Sequence, residues 1–183
     1  MPHLKLSVLA TLLGLGFALP QIYGLHKPAA FAAALRKFPR STPLGYVLML
    51  SGTAWFLYKV KTDPISDFAA FKPALLLGFG IIGVGACVYV RDYLAVRGLA
   101  VVVLLLAKLV LDTARWVDTQ WRLVLAAWAY LWVIGAVWIS FSPWRLRDFI
   151  NFITATERRI RIGCALRLAF ALFIMLLGLT AFR

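Results

Sequence analysis

The feature that most constrains this chain is a series of apolar runs, each near or above the roughly 18 residues that mark a bilayer-crossing helix. The clearest covers residues 164–182, CALRLAFALFIMLLGLTAF, and follows directly on an amphipathic stretch at 142–163, SPWRLRDFINFITATERRIRIG. Six such runs fall at about 4–25, 44–60, 73–90, 93–112, 122–141 and 164–182. Inside lipid the backbone has no water to bond, so segments of this kind cross as helices. With 63% hydrophobic residues and a mean hydropathy of +0.87, the chain carries more apolar surface than a soluble helical domain hides. The expected fold class is all-α: a polytopic integral membrane protein, one bundle of about six transmembrane helices plus two amphipathic interfacial helices. No connection is long enough to hold a water-soluble domain.

The two interfacial helices are expected at about 143–161 and 28–40. In the first, Ser142 suits the N-cap and Pro143 the first helical position. Leu146, Phe149, Ile150 and Ile153 share one face at i, i+3, i+4 and i+7, and Arg147, Asn151, Thr154, Arg158 and Arg161 form a polar stripe. In the second, Phe31, Ala34, Leu35 and Phe38 repeat the apolar pattern, with Arg36, Lys37 and Arg40 at its edges. Such segments lie in the headgroup region and turn their cations toward phosphates. Arg147, Arg158, Arg161, Arg36, Lys37 and Arg40 are thus the expected contacts to anionic lipid. The likeness of the two span–surface helix–span units admits a diverged duplication, although ordinary membrane patterning produces the same spacing.

Charge fits this picture. Twenty Lys and Arg against seven Asp and Glu give a net charge of +13, yet the cations sit between apolar runs, so nucleic acid is not the expected partner. Lys5, Lys59, Lys61, Lys72, Arg115, Arg122 and Arg183 fall on the side of the termini. A larger set, including Lys27, Arg91, Arg97 and the surface-helix arginines, falls on the other. The positive-inside rule then puts the surface helices in the cytoplasm and both termini outside it. The Ala, Leu, Gly and Arg usage points to a bacterial inner membrane. The first run also resembles a signal peptide up to Ala18, but it continues through Pro20 to Gly24 and is read as a retained helix. Ile65, Phe68 and Phe71, in the connection between the second and third runs, are expected to dip into the interface.

Within the spans, small residues dominate. Gly14 with Ala18, and Gly78, Gly80, Gly83 and Gly85, offer smooth faces to neighbouring helices. The run Gly78–Gly83 matches GxGxxG in form, but no strand precedes it and no acidic residue follows some 20 positions later, so it is not a dinucleotide site. Trp121 and Trp138 suit the two aromatic belts, whereas Trp128 and Trp132 are expected deeper.

One polar constellation stands out. Arg97, Lys108, Asp112 and Arg115 lie close to one helical face at i, i+11, i+15 and i+18. If their helix starts at Gly98, Lys108 lies near mid-membrane, where a lone lysine costs about 2.5–3.5 kcal/mol and belongs in a bundle or an anion path. If it starts near Asp92, Lys108 snorkels toward the end of the helix with Asp112 as its surface partner; this second arrangement is preferred. His3 and His26 are the only histidines, Cys87 and Cys164 belong to no motif, and HExxH, GxSxG, CxxC and the P-loop are all absent. Catalytic residues, metal ligands and cofactors are therefore not expected. The leading functional expectation is a non-catalytic scaffold or accessory component of a membrane complex, or a lipid-interacting protein, partnered by the bilayer's anionic headgroups and by other membrane subunits or copies of itself. The alternatives are a small oligomeric transporter or channel using Lys108 and Asp112, and a lipid-modifying membrane enzyme.

Overall fold

The computed structural model describes residues 5–63, 70–90 and 92–182. His3, Leu4, Ile65, Phe68, Arg91 and Arg183, used in the readings above, lie outside the described residues. Those described are helical throughout their regular structure: α1 (Leu6–His26), α2 (Pro28–Lys37), a 3₁₀ turn (Phe38–Arg40), α3 (Thr42–Thr62), α4 (Lys72–Tyr89), α5 (Leu94–Ala114), α6 (Arg122–Phe141), α7 (Pro143–Ile153) and α8 (Glu157–Thr180). The helices α1, α4, α5, α6 and α8 are long and apolar enough to cross a membrane. At 21 residues α3 has the length but not the apolarity, because Ser51, Thr53, Lys59 and Lys61 dilute it. The chain is an all-helical membrane protein.

The chain divides into two compact units. The first takes Met1–Arg36, Leu106–Val133 and Arg147–Arg183, and its centre is the pair α1 and α8. Gly14 faces Ala171 and Met175, Gly24 faces Cys164, and Gly178 faces Ser7 and Thr11, so the two helices run antiparallel. A Cβ on Gly14 would fall 2.8 Å from the Ala171 carbonyl oxygen, and one on Gly178 would fall 2.9 Å from the Thr11 nitrogen. Apolar side chains gain little by leaving lipid for protein, so helices in a membrane associate by close backbone approach, which these glycines permit. Leu6, Leu9, Ala10, Ala107, Val110, Leu125, Ala129 and Ile174 complete the buried centre. Beside it, Phe17 meets Trp128 and Trp132 at ring-centroid distances of 4.8 and 5.3 Å. Phe170 extends the aromatic group from Trp128 at 5.2 Å.

The second unit takes Lys37–Leu105 and Ile134–Leu146. Here α3 runs antiparallel to α4, with Thr53 on Gly83 and Phe56 edge-on to Phe79 at 4.9 Å. It runs parallel to the first half of α5: Gly45 meets Leu94 and Ala95, Gly98 meets Leu48 and Met49, and Gly52 meets Val101. The expected glycine face of α4 is thus only partly used. Gly83 is buried against α3 and Gly80 touches Leu57, but Gly78 and Gly85 have nothing within 4 Å, because they point away from α3. Tyr93 takes a positive φ of 55° where the chain turns into α5, a conformation costly for a bulky residue.

The long surface helix expected at 143–161 is two helices. α7 stops at Ile153 and α8 starts at Glu157, seven residues before the apolar run. The break is chemical. Thr156 takes extended backbone angles and its hydroxyl accepts from the Arg159 N–H at 3.3 Å, an N-cap, with Glu157 in the first turn where the helix dipole favours it. Arg158 and Arg161 therefore belong to the start of the long helix and not to the surface helix. Thr154, expected in the polar stripe, is 4% exposed. The first surface helix likewise buries Phe31 and Ala32, leaves Ala34 exposed, and tightens into the 3₁₀ turn at Phe38 as Pro39 ends the α-helix.

Candidate functional site

Two places in the first unit gather polar groups. The first is the elbow between α7 and α8. The Thr154 hydroxyl donates to the Ile150 carbonyl at 2.7 Å, closing the last turn of α7. Arg36 then reaches over from α2: its Nε donates to the Thr154 hydroxyl at 3.0 Å and its Nη2 to the Thr154 carbonyl at 2.7 Å. A buried carbonyl at a helix end needs such a partner. Phe31 and Ala32 of α2 pack against Ile160 and Cys164 of α8, so the same contact joins α2 to the elbow. Arg36 is held in this structural bond, which limits what it offers to lipid.

The remaining cations of the elbow differ in how they are matched. Arg147 pairs with Asp148 at 2.9 Å, and Arg161 with Glu157 one turn earlier at 2.7 Å. Arg158 is exposed. Arg159, absent from the expected contacts, lies 4.9 Å over the Phe152 ring, and Phe152 is itself 64% exposed. This arginine sits outside the i, i+4, i+7 stripe of a continuous helix. α8 begins anew after its Thr156 cap, and Arg159 in its first turn lies against Phe152. Lys37 and Arg40, in the second unit, are exposed.

The second place is the end of α5 and the turn into α6. α5 begins at Leu94, not at Gly98, so Lys108 is six residues, about 9 Å at 1.5 Å per residue, from the helix end at Ala114. Its Nζ meets Asp112 Oδ2 at 2.6 Å, and the two side chains are 48% and 53% exposed. Half-exposed and one turn apart on one helix, the pair has the geometry of a snorkelling lysine with its surface partner. Arg115 is exposed beyond it. Arg97 belongs to the second unit, with its Nε buried and without a hydrogen-bond partner among the described residues.

The neighbour that sequence reasoning passed over is Arg122. Its Nη1 donates to the Val117 carbonyl at 2.9 Å and the Arg115 carbonyl at 3.3 Å, so the guanidinium caps the C-terminal end of α5. Arg122 also lines an open groove of about 500 Å³ with Asp112, Arg115 and Tyr130. The dipole preference for a cation near a C-terminal helix end was the available signal, but it required knowing that α5 stops at Ala114. Gln21 was also passed over: this amide in α1 is 6% exposed and its Oε1 has no partner among the described residues. Among the described residues, His, Cys, Asp and Glu form no group of three that could hold a metal ion.

The fold and these sites define a class, the all-helical membrane proteins, with cations concentrated at helix ends. No family model, no curated protein and no solved structure matches this chain, so function must be argued from these residues.

Proposed function

We propose that this chain is a multi-pass, non-catalytic membrane protein that organises its lipid surroundings and serves as a scaffold or accessory component of a membrane complex. In this reading the elbow at 153–159 is amphipathic and seated in the headgroup layer, on the cytoplasmic face of a bacterial inner membrane, with both termini on the opposite side. The observation that carries it is the elbow itself. The fold uses Arg36 to lock its backbone, and Arg158 and Arg159 extend from it beside the exposed Phe152. A cation next to an exposed ring is the pairing an interfacial segment presents to phosphate and acyl boundary together. Exposed Leu, Ile, Phe and Val side chains along α4, α6 and α8 supply surface for lipid or for partner subunits.

The test is lipid retention. At about 1 kcal/mol per basic residue near an anionic surface, Arg158→Gln with Arg159→Gln should lower phosphatidylglycerol retained in native mass spectra by roughly thirtyfold. Unchanged retention would overturn the elbow as a lipid contact. A stoichiometric foreign subunit in the same spectra is the expected mark of an accessory role.

A second reading, a small oligomeric transporter or channel, is favoured by the Lys108–Asp112 pair within a helix long and apolar enough to cross a membrane. Lys108→Leu separates the two: a scaffold keeps its insertion and assembly, whereas a transporter inserts but loses flux.

A further inference from the structure

The turn between α5 and α6 holds a set of charges that the lipid-facing reading above does not use. Two grooves adjoin there and share Arg122 and Leu123. The larger, about 500 Å³, includes Asp112, Arg115 and Tyr130; the smaller, about 210 Å³, includes Asp118, Thr119 and Gln120. Asp112 is already matched by Lys108 at 2.6 Å. Arg115 and Arg122 have no carboxylate partner among the described residues, and Asp118 has no cationic one. Arg122 is positioned by its bonds to the Arg115 and Val117 carbonyls, which hold its guanidinium within the span of the turn. Two unmatched cations and one unmatched anion in neighbouring grooves are complementary to a ligand bearing a phosphate at one end and an ammonium at the other.

The walls indicate how such a ligand continues. Leu111 and Ala114 of α5 and Ala126 of α6 give the larger groove one apolar wall, and Tyr130 lies seven residues, about 10 Å, beyond Leu123. Trp121 is 50% exposed at the head of α6, the kind of position where amphipathic rings mark the headgroup level, whereas Tyr130, 59% exposed, lies deeper along the helix. We propose that this turn binds an aminophospholipid, with its phosphate on Arg115 and Arg122, its ammonium on Asp118, and an acyl chain descending past Ala126 and Tyr130. The proposal rests on the membrane reading but uses none of the elbow residues. A phosphate takes the planar donors of arginine as paired hydrogen bonds, and a primary ammonium gives up to three donors to a carboxylate. A quaternary choline has none to give.

The experiment is native mass spectrometry of the full chain released from nanodiscs holding equal parts phosphatidylethanolamine, phosphatidylglycerol and phosphatidylcholine. The wild type is expected to retain phosphatidylethanolamine above phosphatidylcholine. Asp118→Asn, at an exposed position with no ion pair among the described residues, should reduce that preference by about tenfold, the size of one charge-assisted bond. Arg115→Gln should reduce phosphatidylethanolamine and phosphatidylcholine retention together, since both carry the phosphate. Equal retention of the two lipids by the wild type, or an Asp118→Asn variant that keeps the preference, overturns the proposal. Soluble glycerophosphoethanolamine is the competing arm: if it displaces the lipid at matched concentration, the acyl chain contributes nothing and the lipid source is refuted. Phosphatidylglycerol retained through Arg158 and Arg159 is read in the same spectra, so loss of one lipid preference is distinguishable from loss of the other.

Discussion

Two glycines two residues apart in α1 should respond oppositely to the same substitution. At Gly14 a new Cβ would fall 2.8 Å from the Ala171 carbonyl oxygen and 2.9 Å from Met175 Cβ, both fixed to the α8 backbone. Neither can rotate away, so the helices must part by several tenths of an ångström along their closest contact. Overpacking of this kind costs about 1–3 kcal/mol. At Gly16 nothing lies within 4 Å, so a methyl group enters open space. Both substitutions gain the same helix propensity, about 1 kcal/mol for Gly→Ala. That term cancels in the difference, which leaves the packing cost alone. Gly16→Ala should therefore be the more stable variant by about 1–3 kcal/mol, a factor of roughly 5–150 in the unfolding equilibrium. Reversible unfolding in mixed micelles with increasing sodium dodecyl sulfate measures both variants under one condition. If Gly14→Ala proves as stable as Gly16→Ala, then α1 and α8 do not meet through Gly14 and the described helix pair is wrong.

Two other perturbations address buried polar groups. Gln21→Met removes the unpaired Oε1 while keeping the side chain's length, and should raise stability by about 1–2 kcal/mol in the same assay; a loss of stability would mean that the amide has a partner. Arg36→Ala leaves the Thr154 carbonyl unmet and should cost about 1–3 kcal/mol. The loss should show first as faster hydrogen exchange across residues 150–156, and unchanged exchange there would refute the lock.

How much of this was legible beforehand depends on the range of the interaction. The apolar runs are local, and the expected limits 122–141 coincide with α6 at Arg122–Phe141. The elbow was not legible, because Arg147, Thr154 and Arg161 keep helical spacing straight through it. Thr156 caps α8, and Thr154 just before it is held by Arg36, 118 residues away in sequence. The α4 glycines show the same limit from the other side. Spacing placed four of them on an apolar helix, but only the position of Thr53 decides that Gly83 is filled and Gly85 is not.

By itself the sequence determined that the chain is helical and bound for a membrane, since the length and apolarity of each run meet a requirement that the bilayer imposes on one segment at a time. It also determined where the cations gather, because charge is excluded from hydrocarbon wherever the fold permits. Only the tertiary structure decided which glycines are contacts, that Arg36 closes α7 while Arg158 stays exposed, and that Arg115, Arg122 and Asp118 share adjoining grooves. Those outcomes depend on which backbones come within a few ångströms of each other, and no residue's own chemistry specifies its neighbour across a helix pair.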